Sequence, residues 1–231
     1  MPIKVIKGNI FTSNCKVIVN TVNCVGVMGA GLALECRLRY PDMHNKYKKL
    51  CGQKLLQIGK LWLYKSDEKW ILNFPTKKDW KQPSKLEYIE LGLIKFKETY
   101  QEKNIQSIAF PMLGADKGGL EHDIIMHSMR KHLEHLPIEI EIYQYDPTAE
   151  DDLYRRLYDF LTSNDLDSLS VITKLRKDYI DKVMCAIQQE DIVQLNQLSK
   201  VKGIGIKTLE KLFNASSAAF DTTQSQQKKL F

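Results

Sequence analysis

The sequence has no apolar run approaching the roughly 20 residues that a membrane span needs, so a membrane protein of the helical kind is not expected. Its five cysteines, Cys15, Cys24, Cys36, Cys51 and Cys185, form no C-x-x-C pair and no ligand spacing with the five histidines. That excludes a zinc ribbon or a thioredoxin-like redox motif and predicts no metal. An odd, scattered set points to reduced thiols and a cytoplasmic setting. The opening MPIKVIKGNIF lacks the apolar core and cleavage site of a signal peptide and reads as a first strand. No internal repeat stands out. There is no G-x-x-x-x-G-K-[ST] phosphate loop, and GAGLAL, with Gly29 and Gly31, lacks the third glycine of the dinucleotide fingerprint. No strand-end acid follows about 20 residues later to hold a ribose. A resident cofactor is therefore not expected.

What is present suits one sizeable domain with a small appendage: 231 residues, 43% hydrophobic and 27% charged, ordinary for a globular chain. The net charge of +6 and pI near 8.9 favour a polyanionic partner. Charge alone does not separate a nucleic-acid binder from a soluble basic protein.

Hydrophobic patterning predicts strands over 1–7 and 16–21, then a helix from Gly29 ending before Pro41 and another over 43–51. Leu61–Tyr64 and Trp70–Phe74 read as strands joined by a polar turn. Ser84 with Glu87 three positions on predicts a capping box opening a helix whose apolar face is Leu86, Ile89, Leu93 and Phe96. A strand at 105–110, a helix at 122–135 and a strand at 138–145 follow. Alternating strands and helices predict an α/β three-layer domain with a mixed or parallel sheet over residues 1–148. A helix and linker are expected over 149–169, with the polar stretch Thr162–Asp165 as the boundary. An all-helical segment is expected over 170–213, and a disordered tail over 214–231.

Two glycine-rich loops, GVMGAG after the second strand and PMLGADKGGLE after the strand at 105–110, each lead from a strand into a helix. In open α/β sheets such loops line the ligand crevice. Bare backbone amides and a helix N-terminus there suit a phosphate, and two such loops suit a diphosphate held between them. The plainer reading, two tight turns, stays open on spacing alone.

The motifs KGNI (Lys7 to Ile10), NTVNCVGVMGAGLAL followed by Tyr40-Pro41, FPTKKDWKQPS and PMLGADKGGLE, in that order over about residues 1–146, resemble the macro domain, an ADP-ribose-binding module. In detail they are similar to the DarG-like branch, which includes the terminal ADP-ribose protein glycohydrolases. The resemblance implies removal of ADP-ribose from thymine bases of DNA, reversing a DarT-type toxin. A non-catalytic ADP-ribose reader, hydrolysis on protein and neutralisation by direct toxin binding are the alternatives.

Carried over by position, the resemblance implies that Asn9 and Ile10 meet the adenine, with Asn9 where the family usually has an acid. Val27, Met28, Gly29, Ala30, Gly31 and Leu32 would line one side of the diphosphate. Leu113, Gly114, Ala115, Asp116, Lys117, Gly118, Gly119 and Leu120 would line the other. Asn23 would face the distal ribose. Lys77 stands where this branch places its functional lysine. A lysine in a dry or cationic pocket has a depressed pKa and can attack an anomeric carbon; positioning the ribose fits the sequence equally well. Glu121 stands where related enzymes carry an aspartate used as acid or base, one methylene longer here. Lys78 reads as solvated, and Asp116 as a turn aspartate or a substitute carboxylate.

Beyond the boundary, Leu198–Leu209 (LSKVKGIGIKTL) resembles a helix-hairpin-helix DNA-binding motif. Lys202, Gly203, Gly205 and Lys207 would grip a phosphate, with Lys211 adding charge. Val171, Leu175, Ile180, Val183 and Ile187 are expected to pack beneath it. Gln227, Leu230 and Phe231 resemble a bacterial sliding-clamp ligand.

Overall fold

The computed structural model describes residues 2–227, with side chains through residue 219. The chain divides into two compact units, Met1–Asp146 and Pro147–Phe231. The first holds β1 (Lys4–Gly8), a 3-10 turn (Ile10–Thr12), β2 (Val17–Asn23), α1 (Gly31–Arg39), α2 (Pro41–Gly52), β3 (Trp62–Tyr64), β4 (Trp70–Lys77), α3 (Leu86–Thr99), β5 (Ser107–Pro111), α4 (His122–Leu133) and β6 (Glu139–Tyr145). Its six strands form one sheet in the order β1-β6-β5-β2-β4-β3. All neighbours run parallel except the edge pair β3 and β4. The expected α/β three-layer architecture with a mixed sheet is the one observed.

Parallel strands covered on both faces carry near-continuous apolar runs, and β2 shows this. Val17 and Val19 face the core with Phe74, Ile89, Leu93 and Phe96, beneath α3 and α4. Ile18 and Val22 face Met28, Cys36, Met43 and Tyr47, beneath α1 and α2. One buried polar pair interrupts the run: Asn20 Nδ2 donates to Asn73 Oδ1 of β4 at 2.9 Å. Helix α3 presses onto β4 through Gly92, where a Cβ would stand 2.1 Å from the Phe74 ring. Arg39 ends α1, and Pro41 opens α2 at its first turn, where a missing N–H costs nothing.

The expected capping box does not form. Lys85 is the N-cap of α3 and makes no side-chain cap, while Ser84 is buried with its Oγ unpartnered. Its amide donates to the carbonyl of Gly118 at 2.9 Å. A tertiary contact has taken the residue that local sequence assigns to the helix.

The second unit contains α5 (Asp152–Thr162), α6 (Leu166–Thr173), α7 (Lys177–Ile187), α8 (Leu195–Leu198) and α9 (Ile206–Gln227). Asp151 Oδ1 caps α5 through the amides of Leu153 and Tyr154, each at 3.0 Å. Its Oδ2 accepts from Leu195 N at 2.9 Å, joining α5 to the start of α8. Helix α5 thus belongs to this unit, and the polar stretch 162–165 links α5 to α6 within it, with Asp165 capping α6. Ile180, Val183 and Ile187 are buried, as expected of them, but Val171 is 77% exposed on the outer face of α6. Helix α9 continues across 214–227, where a disordered tail was expected. Alanine and glutamine in that stretch are good helix formers. Leu230 and Phe231 lie outside the described residues. Among the described residues no helix is long and apolar enough to cross a membrane.

All three tryptophans, Trp62, Trp70 and Trp80, lie in the first unit, so intrinsic fluorescence reports its unfolding. Gly92→Ala is expected to lower the stability of that unit by about 1–3 kcal/mol in urea denaturation, the usual cost of overpacking. Gly8→Ala, whose added methyl meets nothing within 4 Å, serves as the near-neutral control.

Candidate functional site

Because β1, β6, β5, β2 and β4 run parallel, their carboxyl ends share one edge of the sheet. Gly8 is opposite Tyr145, Pro111 opposite Tyr143 and Asn23 opposite Lys77. Residues far apart in sequence therefore gather where loops leave the sheet. A register shift sharpens this at β4. Val22 pairs with Pro75 and Asn23 with Lys77, so Thr76 is skipped. Proline has no amide to give the ladder, and a bulge re-aims the side chains that follow it.

The first glycine loop is built on Asn23. Its Oδ1 accepts from the amides of Val25 at 3.1 Å and Val27 at 3.2 Å, and its Nδ2 donates to the Val27 carbonyl at 2.6 Å. The buried Tyr47 hydroxyl donates to the Asn23 carbonyl at 2.8 Å and lies 3.1 Å from Oδ1. Among the described residues the amides of Met28, Gly29 and Ala30 donate to no protein acceptor. Helix α1 follows with no acid in its first turn and no side-chain cap, leaving its first amides and the positive end of its dipole exposed to a ligand.

The second loop folds on itself. Gly114 and Gly119 take left-handed φ values of +70° and +78°, and Gly119 N donates to Ala115 O at 2.6 Å. A Cβ on Gly118 would stand 2.0 Å from the carbonyl oxygen of Gly114, so only glycine fits. The amides of residues 116–118 have no protein acceptor among the described residues, the arrangement of an anion nest.

The segment after β4 stitches the two loops together. The Lys78 carbonyl accepts from Cys24 N at 3.2 Å on one side, and Ser84 N reaches Gly118 O on the other. The Lys77 ammonium donates to the carbonyl of Lys117 in the second loop. Burial, and then the Lys117 charge, push the Lys77 pKa below the usual lysine value. The neighbouring thiol moves the other way. Burial, reinforced by Cys51, raises Cys24 to about 11, so at neutral pH it is a thiol and a poor nucleophile. Grooves of about 370 Å³ between α3 and α4 and about 410 Å³ beside β3 do not touch either loop.

The macro domain family profile matches residues 19–129, spanning β2 through α4. The solved macrodomain of Mycobacterium tuberculosis DarG is 40% identical, with a TM-score of 0.59, and 96% of that chain is covered by 61% of this one. The chain belongs to the macro domain family. The DNA ADP-ribosyl glycohydrolase of M. tuberculosis is 40% identical over 146 residues, 62% of this chain and 41% of the relative. A transferase–glycohydrolase fusion protein of Thermosipho africanus is 34% identical over 160 residues, covering 61% and 41%. The solved T. africanus DarTG in complex with ADP-ribose is 35% identical with a TM-score of 0.60, covering 63% of this chain and 42% of that one. The chain spans about two fifths of the length of the curated relatives it matches.

Within this macro domain the residues singled out from sequence divide into groups. Gly29, Ala30, Gly31, Lys117 and Gly118 present backbone at the loops. The side chains of Ile10, Met28, Leu113 and Ala115 are buried in the core, so they can offer a ligand main chain but no side-chain contact. Leu32 and Leu120 are half-buried, and Val27 is exposed. Asn9 caps the 3-10 turn, its Oδ1 accepting from Phe11 N at 3.0 Å. Asn23 spends its amide inside its own loop. Glu121 is exposed at the N-cap of α4, and no hydrogen bond or ion pair joins it to Lys77 among the described residues. Asp116 lies 3.9 Å from His122. Sequence reasoning missed Tyr47, which looks like any apolar-face residue of α2, and the contact of Ser84 with Gly118.

In the second unit Lys202 and Lys207 are exposed around Gly203, whose φ is +92°. Gly205 O accepts from Thr208 N and Leu209 N at the start of α9. Lys211 differs from expectation, since its amine is committed to the Lys174 carbonyl at 2.8 Å.

A depressed pKa means that Lys77 loses its proton at lower pH than an ordinary lysine does. With lysines carrying 13C-methyl labels, NMR titration should place the Lys77 midpoint below the ordinary lysine value. Lys117→Ala should move it part of the way back up, because burial is the larger cause and persists.

Proposed function

We propose that this chain is an ADP-ribosyl glycohydrolase that releases ADP-ribose from DNA bases. One observation carries the reading: a partly buried amine with a depressed pKa stands where two glycine loops, each with unclaimed backbone donors, are stitched together. Its support from relatives is twofold. Those covering the first unit are named DNA ADP-ribosyl glycohydrolase, and a similar solved protein is in complex with ADP-ribose.

In this reading the diphosphate lies between the amides of Gly29 to Gly31 and those of Asp116 to Gly118. Asn9 and Ile10 meet the adenine at the end of β1. Asn23 acts on the distal ribose indirectly, by shaping the loop that covers it. Lys77, as the free amine, attacks the anomeric carbon of the distal ribose. The N-glycosidic bond breaks, and the base leaves with its electron pair. Glu121 takes the proton that the attacking amine sheds and passes it to the departing base. The lysine adduct opens to an iminium that water hydrolyses, restoring the amine. Lys202, Gly203, Gly205 and Lys207 hold DNA backbone phosphate, which positions without reading sequence. A DarT-type transferase is the partner whose product the enzyme removes, consistent with a relative in which both activities share a chain. The setting is cytoplasmic, and Gln227, Leu230 and Phe231 offer a contact to a sliding clamp.

The test is to incubate the protein with an ADP-ribosylated single-stranded oligonucleotide and with an ADP-ribosylated protein. Release from the oligonucleotide is expected, with Lys77→Ala slower by about 10²–10⁴-fold and its calorimetric affinity for free ADP-ribose retained. Wild-type rates in that variant would end the lysine mechanism. Release from protein alone would end the DNA assignment, and binding without release would favour a reader. Separately, Gly118→Ala should weaken free ADP-ribose binding at least tenfold, since its methyl and the Gly114 carbonyl cannot share one place.

A further inference from the structure

The segment KKDWKQPSK, Lys77 to Lys85, is tied at both ends and displays a tryptophan between the ties. Beyond the contacts to Cys24 and Gly118, Asp79 closes a turn beneath it. The Asp79 carboxylate accepts from Lys81 N at 2.9 Å, and its carbonyl accepts from Gln82 N at 3.1 Å. Trp80 stands on this turn with 52% of its surface exposed. A single exposed apolar side chain is ordinary, but this one stands on a lysine-rich turn. Val25 and Val27 of the first glycine loop are also exposed. The Lys81 ammonium lies 5.4 Å from the Trp80 ring centroid. Those of Lys78 and Lys85 lie 5.6 and 5.8 Å from the Tyr88 ring. From Lys77 to Lys85 there are four lysines to one aspartate.

An exposed indole with one ammonium at its ring and two more at the ring of Tyr88 suits a base with its backbone phosphates. The adenine of the bound nucleotide is a poor candidate for that base. Asn9, at the end of β1, is separated from β4 by three intervening strands, about 19 Å at about 4.8 Å per strand. Trp80 lies instead at the Lys77 end, where the bond between sugar and DNA base is to be cut. A paired duplex hides its base faces, so the indole can stack only on an unpaired or extruded base.

We propose that Trp80 is a stacking platform for a nucleobase of single-stranded DNA beside the modified nucleotide, with Lys78, Lys81 and Lys85 contacting the flanking phosphates. The proposal rests on the glycohydrolase reading and names how its polymer substrate is held.

The test compares Trp80→Ala and Trp80→Phe with the wild type in the full chain, on two substrates: an ADP-ribosylated single-stranded oligonucleotide and the same adduct on a lone nucleoside. Trp80→Ala is expected to raise KM for the oligonucleotide about 5- to 100-fold, the range of one lost stack, with kcat nearly unchanged. Trp80→Phe should recover most of the loss. Release from the nucleoside adduct and calorimetric binding of free ADP-ribose should not change. Fluorescence anisotropy of an unmodified ten-nucleotide DNA strand should show the same loss of affinity, and the wild type should prefer that strand over its duplex. Equal damage on both substrates, an unchanged KM for the oligonucleotide, or tighter binding of the matching RNA strand would each overturn the proposal. If the wild type releases nothing from DNA, the glycohydrolase reading fails. The anisotropy series then still decides for or against stacking on Trp80.

Discussion

The parallel pairing of β2 with β4 and β5 is the constraint on which the site depends. It brings the ends of strands beginning at Val17, Trp70 and Ser107 to one edge. There Asn23, Lys77 and the loop after Pro111 become neighbours. An antiparallel arrangement would send alternate strand ends to opposite edges and separate the amine from one of the glycine loops. The arrangement demands crossovers on both faces, which α1 with α2 and α3 with α4 supply. These crossovers in turn bury both faces of β2. The apolar run Val17–Val19 and the placement of the amine are two results of one topology.

Within that frame, small departures from regularity shape the candidate site. Pro75 gives no amide to the ladder, Thr76 is skipped, and Lys77 comes opposite Asn23. Glycine answers a different need in the second loop. Gly114 and Gly119 supply left-handed backbone, whereas Gly118 supplies the absence of a side chain against the Gly114 carbonyl. Asn23 spends its side chain on the loop it opens. Its amide closes the first loop with Val25 and Val27, and Tyr47 holds it from beneath.

Most of the sheet and both glycine loops were legible in the sequence because their signals are local. Short apolar, β-branched runs mark strands, and glycine marks backbone that other residues resist. Lys77 was expected directly after a strand ending at Phe74, and it is the last residue of β4; the end of a buried strand needs no tertiary information to be located. Signals that depend on distant partners were not legible. Ser84 and Glu87 have the spacing of a capping box, yet Ser84 is claimed by Gly118, thirty-four residues away. Met28 and Leu113 belong to the loop motifs, yet their side chains turn into the core. Asp151 shows the same limit at the unit boundary. Locally it is an ordinary N-cap, and its bond to Leu195 is what ties α5 to the helices that follow.

The lysines around the two loops act on each other. Lys117 lowers the proton affinity of Lys77 by its charge, but burial does more. A polyanion that neutralised Lys117 would relax the smaller effect and, by covering the cleft, increase the larger one. A bound nucleic acid strand therefore leaves Lys77 able to lose its proton, provided that its phosphates sit on the outer lysines and not beside the amine itself. The geometry allows that division. Lys78 and Lys85 stand by the Tyr88 ring and Lys81 by Trp80, while the Lys77 ammonium turns to the Lys117 carbonyl. That carbonyl is a neutral acceptor, which holds the amine in place without the charge that would keep it protonated.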